Sequence, residues 1–137
     1  MTREAAIERA AAYFDDGGFT RDLARRVAIP STSQEPEGAP ALIEYLCGEM
    51  QPSLEALGYQ CRLLENPVAP ACPFLLAERL EDGNNLTVLT YGHGDVVRGQ
   101  DEGWRDGLGP WQLVAEGNRL YGRGTADNKG QHSVNLG

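Results

Sequence analysis

The run Leu86-Thr87-Val88-Leu89-Thr90-Tyr91 carries no charge and passes directly into Gly92-His93-Gly94-Asp95. A strand with β-branched and apolar residues at successive positions, and no charged one, suits a sheet covered on both faces. Its carboxyl end is where open α/β sheets bind ligands. The run therefore predicts a buried strand delivering polar groups to a site. Helical signals precede it. Residues 3–15 are rich in Ala, Glu and Arg, and Asp15-Asp16-Gly17-Gly18 ends that segment. Phe19, Leu23 and Val27 recur on one face of a second helix, from about Thr20 to Ala28, closed by Ile29-Pro30. Ile43, Leu46, Met50, Leu54 and Leu57 form the stripe of a third, which Pro52 should kink or split and Gly58 should cap.

Strands are expected at Gln60–Leu64 and Phe74–Leu80, with a turn at Asp82-Gly83-Asn84-Asn85 before the buried run. A hairpin is expected where Gly117-Asn118 separates Leu113–Glu116 from Arg119–Tyr121, and a helix should begin near Asp127. Helices first, then strands ending in a Gly-rich polar loop, indicate an α/β layered domain.

Composition narrows function. The formal charge is −8, from 20 acidic and 12 basic residues, and the longest Lys/Arg run is Arg25-Arg26. Such a surface repels phosphate backbones, so no nucleic-acid partner is expected. Cys47, Cys61 and Cys72 are odd in number and lack C-x-x-C spacing, which points to free thiols and not to a disulfide framework or thiolate zinc site. Charges at Arg3, Glu4, Glu8 and Arg9 leave no apolar export segment, and no run reaches the ~18 residues of a membrane span. The expectation is a cytoplasmic protein with no membrane partner.

Two segments carry chemistry. In Gly92-His93-Gly94-Asp95, His93 and Asp95 are two apart, so an extended backbone turns both side chains to one face. A neutral imidazole is a common metal ligand, and its second nitrogen usually donates to a carboxylate that fixes its tautomer. Gly92 and Gly94 remove side chains nearby and permit positive φ. Ordinary hydrogen bonds at a strand end are the alternative. The second segment is Gly122-Arg123-Gly124-Thr125-Ala126-Asp127-Asn128-Lys129-Gly130. It lacks the Gly-Lys-Ser/Thr order of a phosphate loop, the third glycine of a dinucleotide fingerprint and the spacing of a calcium loop. A carboxylate in such a turn can present both oxygens to two cations ~3.5–4 Å apart. Alternatively, Asp127 caps the following helix.

The order G-H-x-D-V-V, then Trp104 and Gly109-Pro110-Trp111, then L-Y-G-R-G-x-x-D-N-K-G resembles the zinc aminoacylase and carboxypeptidase family. Its members include acetylornithine deacetylase, succinyl-diaminopimelate desuccinylase and carnosinase-like dipeptidases. Val27-Ala28-Ile29-Pro30-Ser31-Thr32-Ser33 resembles the family's amino-terminal I-P-S-x-S turn, so the likeness covers essentially the whole chain. Trp111 replaces the usual Phe.

The resemblance implies a layered zinc-peptidase-like catalytic domain, with helices packed on a mixed sheet. It implies His93 as a zinc ligand, Asp95 as the catalytic carboxylate orienting it, and Asp127 as the bridge between two zincs, with cobalt or manganese as alternatives. Asn128, Lys129 and Gly130 would shape the turn, with Gly92, Gly94, Gly122 and Gly124 as supporting positions. Arg123 would either contact a substrate carboxylate or make a structural salt bridge.

The implied activity is hydrolysis of amide or peptide bonds in dipeptides or N-acyl amino acids, as peptidase or deacetylase, in a family that is often homodimeric. The family's general base and remaining ligands follow Asp127; His132 does not stand at a ligand position. Residues 1–137 are thus expected to form the amino-terminal portion of a catalytic domain, truncated, without the smaller dimerisation domain and inactive alone. The alternative is a truncated non-catalytic protein that keeps the fold for binding or regulation.

Overall fold

A computed structural model describes residues 2–81, 83 and 86–137. The expected turn at Asp82-Gly83-Asn84-Asn85 lies outside the described residues except for Gly83. Two compact units form: residues up to Ala28 with Gly99–Gly137, and Ile29–Arg98. No helix among the described residues is long and apolar enough to cross a membrane, and Cys47, Cys61 and Cys72 are unpaired.

The first unit begins with α1 (Arg3–Asp15), started by Thr2, whose hydroxyl accepts from the Ala5 amide at 3.2 Å. Helix α2 (Gly18–Ala28) follows and buries Leu23, Arg26 and Val27. The hairpin is β3 (Val114–Glu116) and β4 (Arg119–Tyr121), paired antiparallel. Gly117 takes φ 56° at its first turn position, a conformation that favours glycine. Helix α5 (Lys129–Leu136) packs on α2. A buried chain of bonds joins them. Arg26 Nη1 donates to Ser133 Oγ at 2.7 Å, and Ser133 Oγ donates to the Lys129 carbonyl at 2.9 Å.

The second unit is built on one long helical segment. Helix α3 (Ala39–Ile43) widens into a π-helical stretch, Glu44–Met50, and resumes as α4 (Gln51–Ala56). The segment stays helical through Pro52 but changes its winding just before it. The Gln51 amide reaches back to the Leu46 carbonyl, five residues away, so the winding changes before the proline, which then sits in the first turn of α4. Tyr45, Met50 and Leu42 form the buried face. Strands β1 (Gln60–Leu64) and β2 (Phe74–Glu78) pair antiparallel, with Cys61 opposite Ala77. The Asn66 side chain orders the connection, accepting from the Val68 and Ala69 amides and donating to the Cys72 carbonyl.

The strand expected at Leu86–Tyr91 does not form. The segment joins no ladder among the described residues, and Leu86, Leu89 and Tyr91 are 90%, 91% and 88% exposed. Composition suits a covered strand, but a strand exists only through neighbours that take up its amides and carbonyls. Pairing resumes at Val96, in a parallel bridge to Thr32. The architecture is α/β, with two antiparallel strand pairs and this bridge.

In the first unit, Tyr13 Oη donates to Asp22 Oδ2 at 2.7 Å. Burial first, then the bond to Asp22 and its charge, push the phenol up to about 12. Burial opposes ionisation of Asp22, but hydrogen bonds from Tyr13 and Arg25 and the charges of Arg25 and Arg26 outweigh it and lower its pKa. A raised tyrosine stabilises the fold fully below its ordinary value near 10 and loses that contribution as pH rises towards 12. A lowered aspartate stabilises above its ordinary value of 3.8 and loses that contribution on acidification. Tyr13→Phe should cost about 1 kcal/mol near neutral pH, and its difference from the unmodified chain should fall as pH rises from 10 towards 12. Urea denaturation across pH checks this; a constant difference through the alkaline limb would refute the linkage.

Candidate functional site

His93 and Asp95 lie in the second unit, at the end of the exposed apolar run. His93 Nδ1 lies 3.0 Å from Asp95 Oδ1 and 3.1 Å from the Asp95 backbone carbonyl. A carbonyl oxygen only accepts, so Nδ1 carries the proton and donates. The side chains are 36% and 41% exposed. Asp95 Oδ2 accepts from Ser33 Oγ at 2.5 Å. The two-residue spacing thus does what extended backbone predicts: it brings imidazole and carboxylate together on one face.

Gly92 and Gly94 are not among the positive-φ glycines, so the expected conformational role is corrected. What Gly94 supplies is space: a Cβ there would lie 2.7 Å from Tyr45 Cδ1. Gly92 is exposed, and His93 and Asp95 border a cavity of about 470 Å³ that Ser33, Leu46, Phe74 and Tyr91 also line.

The Asp127 segment lies in the first unit. Gly122 and Gly124 are buried; Gly124 has φ 85°, which favours glycine, and a Cβ on Gly122 would meet Val27 Cγ1 at 2.9 Å. Asp127 is exposed, and the Asp127–Asn128 peptide is cis. Asn128 precedes α5 without a capping side-chain bond; its Nδ2 donates to Gln131 Oε1, and its Oδ1 is buried without a hydrogen-bond partner among the described residues. Lys129 is fully buried, and desolvation lowers its ammonium to about 7. The Gly130 amide donates to the Gly124 carbonyl at 3.2 Å, and a Cβ on Gly130 would collide with the Thr125 carbonyl. His132 lies within α5.

Arg123 has a structural environment. Its Nη2 donates to the Gly99 carbonyl at 3.0 Å, and its guanidinium stands 5.5 Å from the Trp104 ring centroid. Trp104 Nε1 donates to the same carbonyl at 2.8 Å, and the Arg123 amide donates to Pro110 O at 2.7 Å. The Trp104 and Pro110 stretch singled out in the sequence therefore braces the Gly-rich turn.

The family model "Peptidase family M20/M25/M40" matches residues 89–136, which span both segments. The chain belongs to this peptidase family. It is 31% identical over 82% of its length to the Cys-Gly metallodipeptidase DUG1 of Candida albicans, covering 25% of that protein. It is 38% identical over 85% of its length to the succinyl-diaminopimelate desuccinylase of Gluconobacter oxydans, covering 27% of it. The solved structure of human carnosine dipeptidase 1 superposes with a TM-score of 0.80 at 30% identity, over 93% of this chain and 29% of that one. The chain thus spans between a quarter and a third of the length of these relatives.

The donors fit a divalent metal in kind. An imidazole whose Nδ1 is held by a carboxylate is how ligating histidines are commonly set. They fall short in number: no group of three or more His, Cys, Asp or Glu able to hold a metal occurs among the described residues.

The contrast between two glycines tests the turn at Asp127. Gly130→Ala should cost about 1–3 kcal/mol or more, because the atom in the way is a backbone carbonyl. Gly103→Ala, whose nearest neighbour would be 3.9 Å away, should stay within about 0.5 kcal/mol. Thermal unfolding of both variants checks this, and equal midpoints would refute the packing account.

Proposed function

We propose that this chain is the amino-terminal portion of the catalytic domain of a two-zinc hydrolase that cleaves dipeptides. The observation that carries the reading is the His93–Asp95 pair at 3.0 Å within the stretch matched by the peptidase family. Substrate class is drawn from the metallodipeptidase and carnosine dipeptidase relatives; the desuccinylase likeness keeps N-acyl amino acids as the second class. His93 and Asp127 are the residues that would hold metal. When bound, the metal pair would supply Lewis acidity and a water acidified towards ~7. Asp95 keeps the proton on Nδ1 and steadies the ring. Gly94 lets the His93 loop sit against Tyr45, and Gly130 lets the turn carrying Asp127 close on Thr125.

One imidazole and one carboxylate are fewer than the three protein ligands typical of catalytic zinc. The general base would come from residues outside these 137. The exposed run Leu86–Tyr91 is consistent with a sheet that needs further strands. For these 137 residues alone the reading is weak metal binding without turnover.

Zinc titration by calorimetry should give weak binding, lost in His93→Ala and reduced in Asp127→Asn. Incubation with Cys-Gly, β-Ala-His and N-succinyl amino acids should give no hydrolysis. Tight stoichiometric zinc with measurable turnover would overturn the claim that the chain is incomplete. Zinc binding indifferent to His93→Ala would overturn the site assignment.

A further inference from the structure

We propose that Ser33 is a positioning residue for His93, acting through Asp95; this rests on the reading of His93 as a metal ligand. The two carboxylate oxygens of Asp95 have different partners. Oδ1 faces His93 Nδ1 at 3.0 Å, and Oδ2 accepts the Ser33 hydroxyl at 2.5 Å. A carboxylate tied at one oxygen cannot turn freely, so Ser33 fixes which oxygen meets the imidazole. This matters because the Asp95 side chain is 41% exposed, and water competes for both oxygens. Without the hydroxyl, Asp95 exchanges its imidazole contact for solvent at small cost.

Ser33 is itself held. The Ser31–Glu35 segment runs beside Gly94–Arg98 and is joined to it at several points. Ser31 Oγ donates to the Gly94 carbonyl at 2.7 Å, and the Val96 amide donates to the Ser31 carbonyl at 2.9 Å. Thr32 and Val96 form a parallel bridge, and Arg98 Nε pairs with Glu35 Oε1 at 2.9 Å. A Cβ on Gly38 would collide with the Thr32 carbonyl, so the following turn packs onto the same strap. Ser31 and Thr32 are buried and tether the backbone, leaving Ser33 at the exposed end with its hydroxyl on Asp95. The Ile-Pro-Ser-Thr-Ser turn thus acts as a rigid bracket whose last side chain sets the carboxylate, and the carboxylate shares the His93 Nδ1–H with the Asp95 backbone carbonyl and steadies the ring plane.

The test uses the whole chain and zinc alone as the probe. The chain has two histidines, so a His132→Gln variant assigns the ring signals in long-range proton–nitrogen spectra. Ser33→Ala should lower the share of the Nδ1–H tautomer of His93, which the Asp95 backbone carbonyl alone then favours, and weaken zinc binding roughly tenfold, the lower end of what loss of an orienting partner costs. Ser33→Thr should restore both. Added to Asp95→Asn, Ser33→Ala should change nothing further, because the two residues act in series.

Unchanged tautomer and zinc affinity in a folded Ser33→Ala variant would overturn the proposal, as would an equal additional loss in the Asp95→Asn background. Should Ser33→Ala not fold, Ser33→Cys keeps the volume, weakens the donor and gives the same two readouts. A tautomer shift in a chain that binds no zinc would support the positioning role while refuting the metal reading. Zinc binding that requires His93 but ignores Ser33 would do the reverse.

Discussion

The candidate site depends on one backbone contact, the parallel seam between Ser31–Glu35 and Gly94–Arg98. Residues more than sixty positions apart in sequence are joined there by the Val96 amide, the Ser31 hydroxyl and the Arg98 guanidinium. The seam orders the segment after His93, where the preceding apolar run makes no ladder. It also explains why a half-exposed carboxylate can hold an imidazole. Surface pairs of this kind contribute little by themselves. Here the backbone on both sides is already fixed, so less freedom is lost when the side chains meet.

The first unit solves a different problem. Arg26 and Lys129 are both buried, an arrangement that demands partners. Arg26 donates to Ser133, and the Ser133 hydroxyl donates to the Lys129 carbonyl, so the start of α5 is tied to α2 through polar groups. Gly122 lies against Val27 of the same helix, and Gly130 lies against Thr125. The turn bearing Asp127 is therefore shaped by close backbone approach, and its glycines are packing residues before they are anything else. Arg123 is drawn into the same scaffold by Trp104 and the Gly99 carbonyl.

Much of the local structure was legible in the sequence. The helices at Arg3–Asp15 and Gly18–Ala28, the strand at Gln60–Leu64 and the hairpin around Gly117 follow from periodicity, glycine punctuation and turn chemistry. The His93–Asp95 approach follows from a period of two. Leu86–Tyr91 was not legible, because a strand is a relation between segments. Uncharged β-branched residues say what a run is fit for, and pairing decides what it is. Pro52 signalled a perturbed helix, and the structure answers it with a change of winding just upstream in a segment that stays helical past the proline.

By itself the sequence determined the residue types of the site, their order, and membership of a metallopeptidase family, because these depend on short motifs whose chemistry is local. Only the tertiary structure decided that Gly94 yields space to Tyr45, that Arg123 braces a turn, and that Ser33 meets Asp95. Each of those facts is a distance between residues far apart along the chain. Such distances are set by how segments pack, and no local pattern of residues encodes them.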